Sequence, residues 1–339
     1  MPMHVDSVDE LARVLDELGR SRAGGDTRGA VPRVATLNFL VFIDDPARHD
    51  WVVERALRVS HKHPSRFILL DSTDATSGVD VSVSSRASSD ALMLNERVDV
   101  GVGKLGHSEI AHVASELSVP GIPTVVWWTG ARLLASRTFA GLVDLASSVV
   151  VDSSGSARDE ETIRELGEFL SRYPHVILDD LAYMRLAPWM DMVAQFFDDP
   201  ALREDLFSIK ALRIESGSEA EALYLAGWLA SRLSWEPLDT QSFRARGGRV
   251  VRLERVLKGD QRRVLSVTLT SDDSSYTAAL SDEDPNVVCL SVEGAKAKPH
   301  RHAPLQNIDN LSLIERAFLS TARDPIFETS LLTVRELLG

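Results

Sequence analysis

The 339-residue chain has one cysteine, Cys289, so it can close no internal disulfide and holds no cysteine-rich metal site. The setting Val287-Val288-Cys289-Leu290 reads as a small buried hydrophobe rather than a reactive thiol. Long apolar runs are also missing, and no stretch approaches the roughly 20 residues of a membrane-spanning helix. The first residues carry Asp6, Asp9 and Glu10 in place of the basic start and apolar block of a signal peptide, so a cytoplasmic location is expected. Positive charge is in deficit: 37 Lys and Arg against 50 Asp and Glu leave a formal net charge of -13. That argues against a general nucleic-acid binder, which needs a basic face, and against an anionic membrane surface. The local cluster Arg244, Arg246, Arg249, Arg252, Arg255 and Lys258 reads as solvated strand faces.

What is present is a layered pattern. Val125-Val126-Trp127-Trp128-Thr129-Gly130 puts two indoles on opposite faces of a β-branched strand, because side chains alternate there. Burying both faces implies an inner strand covered on each side, so the pair marks either a core strand or the floor of a binding surface. Helices are predicted over 7–20, 52–59, 108–117, 132–145, 159–172, 187–197 and 220–233, with strands at 33–45, 66–71, 79–85, 97–102, 125–128, 148–152 and 209–215. That alternation predicts an α/β fold, a mainly parallel or mixed sheet flanked by helices. From 241 to 293 short alternating strands predict a smaller antiparallel β-rich C-terminal part, closed by helices over 311–338. The expected division is an N-terminal helix and linker (1–29), an α/β domain (30–238) and a β-rich subdomain with closing helices (239–339).

Several constellations could carry chemistry. Gly101-Val102-Gly103-Lys104-Leu105-Gly106 matches the glycine fingerprint of dinucleotide-binding folds, but no carboxylate stands at the end of the next strand to hold a ribose. Ser108, in Gly106-His107-Ser108-Glu109, lacks the second glycine of a nucleophile elbow and reads as a helix N-cap. His63, Ser65 and Arg66 bring donors and positive charge to one loop, and Ser153 and Ser154 precede a helix; both places suit an anion. In Asp179-Asp180-Leu181-Ala182-Tyr183-Met184-Arg185, the arginine is expected to pair with Asp179 or Asp180 and lock the start of the following helix. No catalytic set, metal-ligand spacing or cofactor motif is complete.

Taken in order, His63-Pro64-Ser65-Arg66, Ser108-Glu109-Ile110, Pro123-Thr124-Val125-Val126-Trp127-Trp128, Val151-Asp152-Ser153, Asp180 to Trp189, Phe196-Phe197-Asp198 and Ala226 to Leu233 resemble the OpcA family, the glucose-6-phosphate dehydrogenase assembly proteins of cyanobacteria and actinobacteria. The resemblance spans about residues 30 to 235. It implies a non-catalytic partner of glucose-6-phosphate dehydrogenase that promotes the active oligomer or raises substrate affinity, feeding the oxidative pentose phosphate pathway. It departs from family members that carry a cysteine where His107 stands, and from those with tryptophan and arginine at Tyr183 and Met190. Redox control through an intrachain disulfide is closed to a chain with Cys289 alone. The residues expected to form a partner surface or its supporting shell are Arg66, Trp127, Trp128, Asp180, Arg185 and Trp189. The competing expectation is an enzyme or sensor that binds a sugar phosphate or nucleotide at strand ends near Gly130 and Ser153-Ser154-Gly155.

Overall fold

A computed structural model describes residues 2–4, 35–63, 65–73, 80–87, 94–130, 132–154, 158–259, 263–306 and 308–339, with backbone alone over 2–4, 80–87 and 94–96. The helix predicted over 7–20 and the linker after it lie outside the described residues. The chain divides into two compact units. The first comprises residues up to Val151 with His175–Asp179 and Ile314–Thr321, and the second comprises Asp152–Pro174, Asp180–Leu313 and Ala322–Gly339. The expected boundary at 238/239 falls inside the second unit.

The first sheet is built from β1 (Pro2–His4), β2 (Leu37–Ile43), β3 (Ser65–Asp71), β4 (Asp80–Ala87), β5 (Leu94–Gly101), β6 (Thr124–Trp128), β7 (Ser148–Val151) and β8 (Ile177–Asp180), in the order β1-β4-β5-β3-β2-β6-β7-β8. Strands β5, β3, β2, β6 and β7 run parallel, while β4 and β1 add an antiparallel edge. Runs such as Phe39-Leu40-Val41-Phe42-Ile43 are buried on both faces, as inner strands of a covered parallel sheet must be. The tryptophans separate as alternation requires. Trp127 faces Trp51 of helix α1 (His49–Lys62), with ring centroids 6.1 Å apart. Trp128 stacks on Phe42 at 4.3 Å and meets Phe139 of helix α3 (Arg137–Val143) at 5.1 Å. Both are core residues. Helix α1 ends at His63, whose extended backbone is what the following proline enforces.

Two local expectations are corrected. Ser108 is not the cap of helix α2 (His107–Leu117): Gly106 is, and the Glu109 carboxylate accepts its N–H at 2.6 Å. The helix predicted over 132–145 shortens to α3 because the Ser136 hydroxyl accepts Phe139 N–H and starts it there.

The second unit carries β9 (Ala211–Ser216), β10 (Glu236–Asp239), β11 (Ser242–Arg244), β12 (Val250–Leu257), β13 (Val264–Thr270), β14 (Ser274–Leu280), β15 (Val287–Gly294) and β16 (Lys298–Pro304), in the order β10-β11-β12-β9-β13-β14-β15-β16. All pairings are antiparallel except β12 with β9. Leu212, Ile214, Val267, Leu269, Tyr276, Ala278, Val288 and Leu290 form one buried face. Alternation with Val288 and Leu290 turns Cys289 outward, so it is half-exposed, its Sγ 3.4 Å from His302 Nδ1, and not the buried hydrophobe expected. Arg255 likewise is not a solvated arginine: it turns inward and pairs with Glu160 and Glu219.

Helices α4 (Asp159–Arg172), α5 (Leu181–Met184), α6 (Ala187–Gln195), α7 (Pro200–Arg203), α8 (Glu219–Leu233), α9 (Asn310–Phe318) and α10 (Pro325–Leu338) complete the described set apart from short 3-10 turns. Helix α8 is apolar nearly all round and packs against α10 at Gly227, where an added Cβ would lie 2.7 Å from the Ser330 carbonyl oxygen and 2.4 Å from a Val334 methyl carbon. Gly227→Ala is therefore expected to destabilise the folded chain by about 1–3 kcal/mol through overpacking, measured by urea unfolding. An unchanged midpoint would mean that α8 and α10 part without cost.

Candidate functional site

A dense, largely buried polar arrangement lies in the second unit around Arg185. The residue caps the C-terminal end of α5, and its planar guanidinium reaches three directions at once. Nη2 donates to Asp152 Oδ1 at 2.7 Å and Nη1 to Asp152 Oδ2 at 3.4 Å. Nε donates to Glu221 Oε1 at 3.0 Å, Nη1 also reaches Asn310 Oδ1 at 3.3 Å, and the Ser154 hydroxyl accepts a further short bond. The expected pairing of Arg185 with Asp179 or Asp180 is thus replaced. Asp180 is occupied as the N-cap of α5: its Oδ1 accepts Ala182 N–H at 2.9 Å and Ser153 N–H at 3.1 Å, and its Oδ2 accepts the Tyr224 hydroxyl at 2.7 Å.

Two carboxylates meet one guanidinium, a third stands beside them, and burial decides their protonation. Burial pushes the Glu221 carboxyl up to about 7, although the Arg185 charge and hydrogen bond pull the other way. Burial also raises Asp180, against the donors Ser153 and Tyr224. Glu221 and Tyr224 lie three apart on α8 and so face the same way, toward Arg185 and Asp180. Neither residue, nor Asp152 or Asn310, was among the sequence-predicted site residues. The available signal was a carboxylate at 221 directly before nine uncharged residues, 222–230, of the same helix.

The other predicted residues take separate places. Trp127, Trp128 and Trp189 are 1%, 3% and 3% exposed, which leaves them shaping the interior. Arg66 is half-buried and donates to the Leu117 carbonyl at 3.0 Å, completing the C-terminal end of α2. His63 lies 3.2 Å from Glu315 Oε1 and against the Phe318 ring, and Lys62 holds the other Glu315 oxygen at 2.7 Å. The positive charge beside His63 is therefore already matched by a carboxylate. Ser65 is buried. Ser154 donates both its N–H and its hydroxyl to Asp152 Oδ1, at 3.3 and 2.8 Å. An anion at Ser153 or Ser154 would have to displace Asp180 or Asp152.

The parallel strands of the first unit, β5-β3-β2-β6-β7-β8, follow the order of dinucleotide-binding folds, where the pyrophosphate sits on the turn after the central first strand. Here that strand is β2, and the turn reads Asp44-Asp45-Pro46-Ala47-Arg48 with no glycine. Asp45 Oδ1 already accepts Ala47 N–H at 2.9 Å, and Pro46 removes another donor. Asp44 Oδ2 lies 3.0 Å from where a Cβ on Gly130 would be. Asp71, at the end of β3 where a ribose carboxylate belongs, is 3.2 Å from His49 Nε2 and accepts both Thr73 N–H and its hydroxyl. Carboxylates thus stand where a pyrophosphate needs free amides, and the residues present do not fit a dinucleotide. The glycine-rich Gly101–Gly106 follows β5, two strands from the central one, and so lies away from the pyrophosphate position.

Profiles for the N-terminal and the C-terminal domain of the glucose-6-phosphate dehydrogenase subunit family, OpcA, match residues 56–168 and 177–331 respectively. The "Putative OxPP cycle protein OpcA" of Synechococcus elongatus is 28% identical over 248 residues, 66% of this chain and 55% of that protein. Its namesake from Synechocystis is 36% identical over 132 residues, 38% of this chain and 27% of that one. The chain thus spans about half or less of the length of these relatives. The 3-ketoreductase KijD10 from Actinomadura kijaniata, in complex with NADP and TDP-benzene, is similar with a TM-score of 0.50 at 9% identity, covering 89% of this chain and 95% of that one. A mutant of that enzyme gives 0.51 at 11% identity with the same coverage. At such identities the likeness is one of fold.

The Arg185 cluster makes stability depend on pH with a definite sign. Glu221 holds its proton more tightly folded than unfolded, so its contribution is fully present below about 4.5 and is lost as the pH rises through about 7. Glu221→Gln, which keeps the acceptor for Arg185, should flatten the fall in melting temperature between those limits. Arg185→Met should cost about 3–5 kcal/mol by leaving buried carboxylates without their cation. A Glu221→Gln melting profile that parallels the wild type across this range would refute the assignment.

Proposed function

Because the chain belongs to the OpcA family of glucose-6-phosphate dehydrogenase assembly proteins, we propose that it is a non-catalytic assembly factor or allosteric activator of glucose-6-phosphate dehydrogenase, supporting the oxidative pentose phosphate pathway and NADPH supply. The observation that carries this reading is the pair of dehydrogenase-subunit profiles, whose matches together run from residue 56 to 331. The first unit supports it from another side. NADP-bound oxidoreductases share the fold, yet the phosphate turn of this chain is filled by Asp44, Asp45 and Pro46. The donors at Ser153 and Ser154 are bound to the chain's own carboxylates, which disfavours a sugar-phosphate or nucleotide site there.

In this role the protein acts by differential affinity. It favours the productive state of the dehydrogenase only to the extent that it binds that state more tightly, and a tenfold preference corresponds to about 1.4 kcal/mol. Trp127 and Trp128 then serve as rigid support within the first unit, with Arg66 as the fixed end of α2, and Asp180, Arg185 and Trp189 do so within the second unit. No metal or cofactor enters the scheme. Added to the cognate dehydrogenase, the full chain is expected to lower the apparent KM for glucose 6-phosphate or to enlarge the enzyme's oligomer. Titration through a molar excess with neither quantity moving would remove the proposal.

A further inference from the structure

The sheet of the second unit has two unlike faces. One buries the apolar residues named above, against which α8 packs. On the other, the register lines up small and hydroxylated side chains: Thr268 stands opposite Thr277, and Thr277 opposite Ser291. Ser266 stands opposite Ala279, and Thr270 opposite Ser275. All are half-exposed, and the Thr268 and Thr277 hydroxyls are 3.2 Å apart. Such a surface is flat, and its short side chains lose little rotamer freedom on being covered.

The charge on this face differs from that of the whole chain. By the same register, Arg213, Arg244, Arg252 and Lys258 contribute four positive charges to its β10–β12 and β9 side. Glu215, Glu236, Asp239, Glu254 and Glu293 contribute five negative ones, so the face sums to only -1 on a chain of net charge -13. The charges are also paired locally: Arg213 holds Glu215 at 2.8 Å and also Glu254, and Lys258 holds Glu215 at 2.8 Å. A strongly charged partner finds no excess of opposite sign here.

We propose that this face is a homodimer interface whose occupant is a second copy of the same chain. Two bodies of charge -13 repel over most of their surfaces and can approach closely where charge is nearly balanced. A two-fold axis presents the same nearly neutral face from both sides, so every favourable pairing occurs twice. The eight strands offer about the twenty residues a side that a standard interface uses. The exposed Val250, 49% accessible at the edge of the charged half, gains cover in the same step.

Sedimentation velocity of the full chain over a wide concentration range tests the proposal. The wild type is expected at twice 37.3 kDa, dissociating on dilution. Thr277→Arg, at the centre of the face, should sediment as a monomer that keeps the wild-type circular dichroism spectrum. Ser291→Arg serves the same purpose if Thr277→Arg fails to fold, and Glu336→Arg, at an exposed position of α10, should remain dimeric. A wild type that is monomeric at every concentration overturns the proposal, as does a folded Thr277→Arg dimer. If the dehydrogenase occupies the face instead, the chain alone stays monomeric and Thr277→Arg abolishes the KM shift. That outcome also overturns the proposal while leaving the dehydrogenase partnership intact.

Discussion

A buried carboxylate has to be met by donors or by a cation, since stripping its water costs several kcal/mol, and the second unit meets that demand repeatedly. Asp180 is satisfied by two backbone amides and a tyrosine hydroxyl, Asp152 by Arg185, which also holds one oxygen of Glu221, and Asp159 by Ser218 Oγ and Ala220 N–H. Asp205 is met by Lys296 at 2.6 Å and the Tyr276 hydroxyl at 2.5 Å. Each set joins segments far apart in sequence. The loop after β7, the turn into α5 and the first turns of α8 are held in one arrangement because none can move without stranding a charge. That rigidity suits the proposed role, in which a fixed surface is offered to the dehydrogenase.

In the first unit the architecture does not by itself fix a use. Its parallel strands follow the dinucleotide-fold order, and the strand ends still gather polar groups, as open α/β sheets do. The groups that gather are bonded to one another: Asp45 to the Ala47 amide, Asp71 to Thr73 and alongside His49. Fold similarity to NADP-bound oxidoreductases therefore says how the chain is built and little about what it does. What speaks for function is the pair of dehydrogenase-subunit matches across both halves.

Much of this was legible in the chain, for local reasons. The period of 3.6 places α4 at 159–172 to the residue, and the β-branched run around Trp127 and Trp128 marks a strand buried on both faces. The partners of Arg185 were not legible. Two carboxylates lay within six positions, while the real partners lie 33 and 36 residues away and meet it through the tertiary fold. Cys289 could have been placed correctly, because Val288 and Leu290 on either side already claim the buried face of β15. The parallel pairing of β9 with β12 in an otherwise antiparallel sheet has no local signature. The turn Asp44-Asp45-Pro46 gained meaning once the strand order identified β2 as the central strand.

Calorimetric titration of the full chain, with NADPH in one series and the cognate glucose-6-phosphate dehydrogenase in the other, tests the central claim most directly. Saturable heat is expected with the dehydrogenase and none with the dinucleotide. Saturable dinucleotide binding, accompanied by oxidation of NADPH by the chain alone, would contradict it.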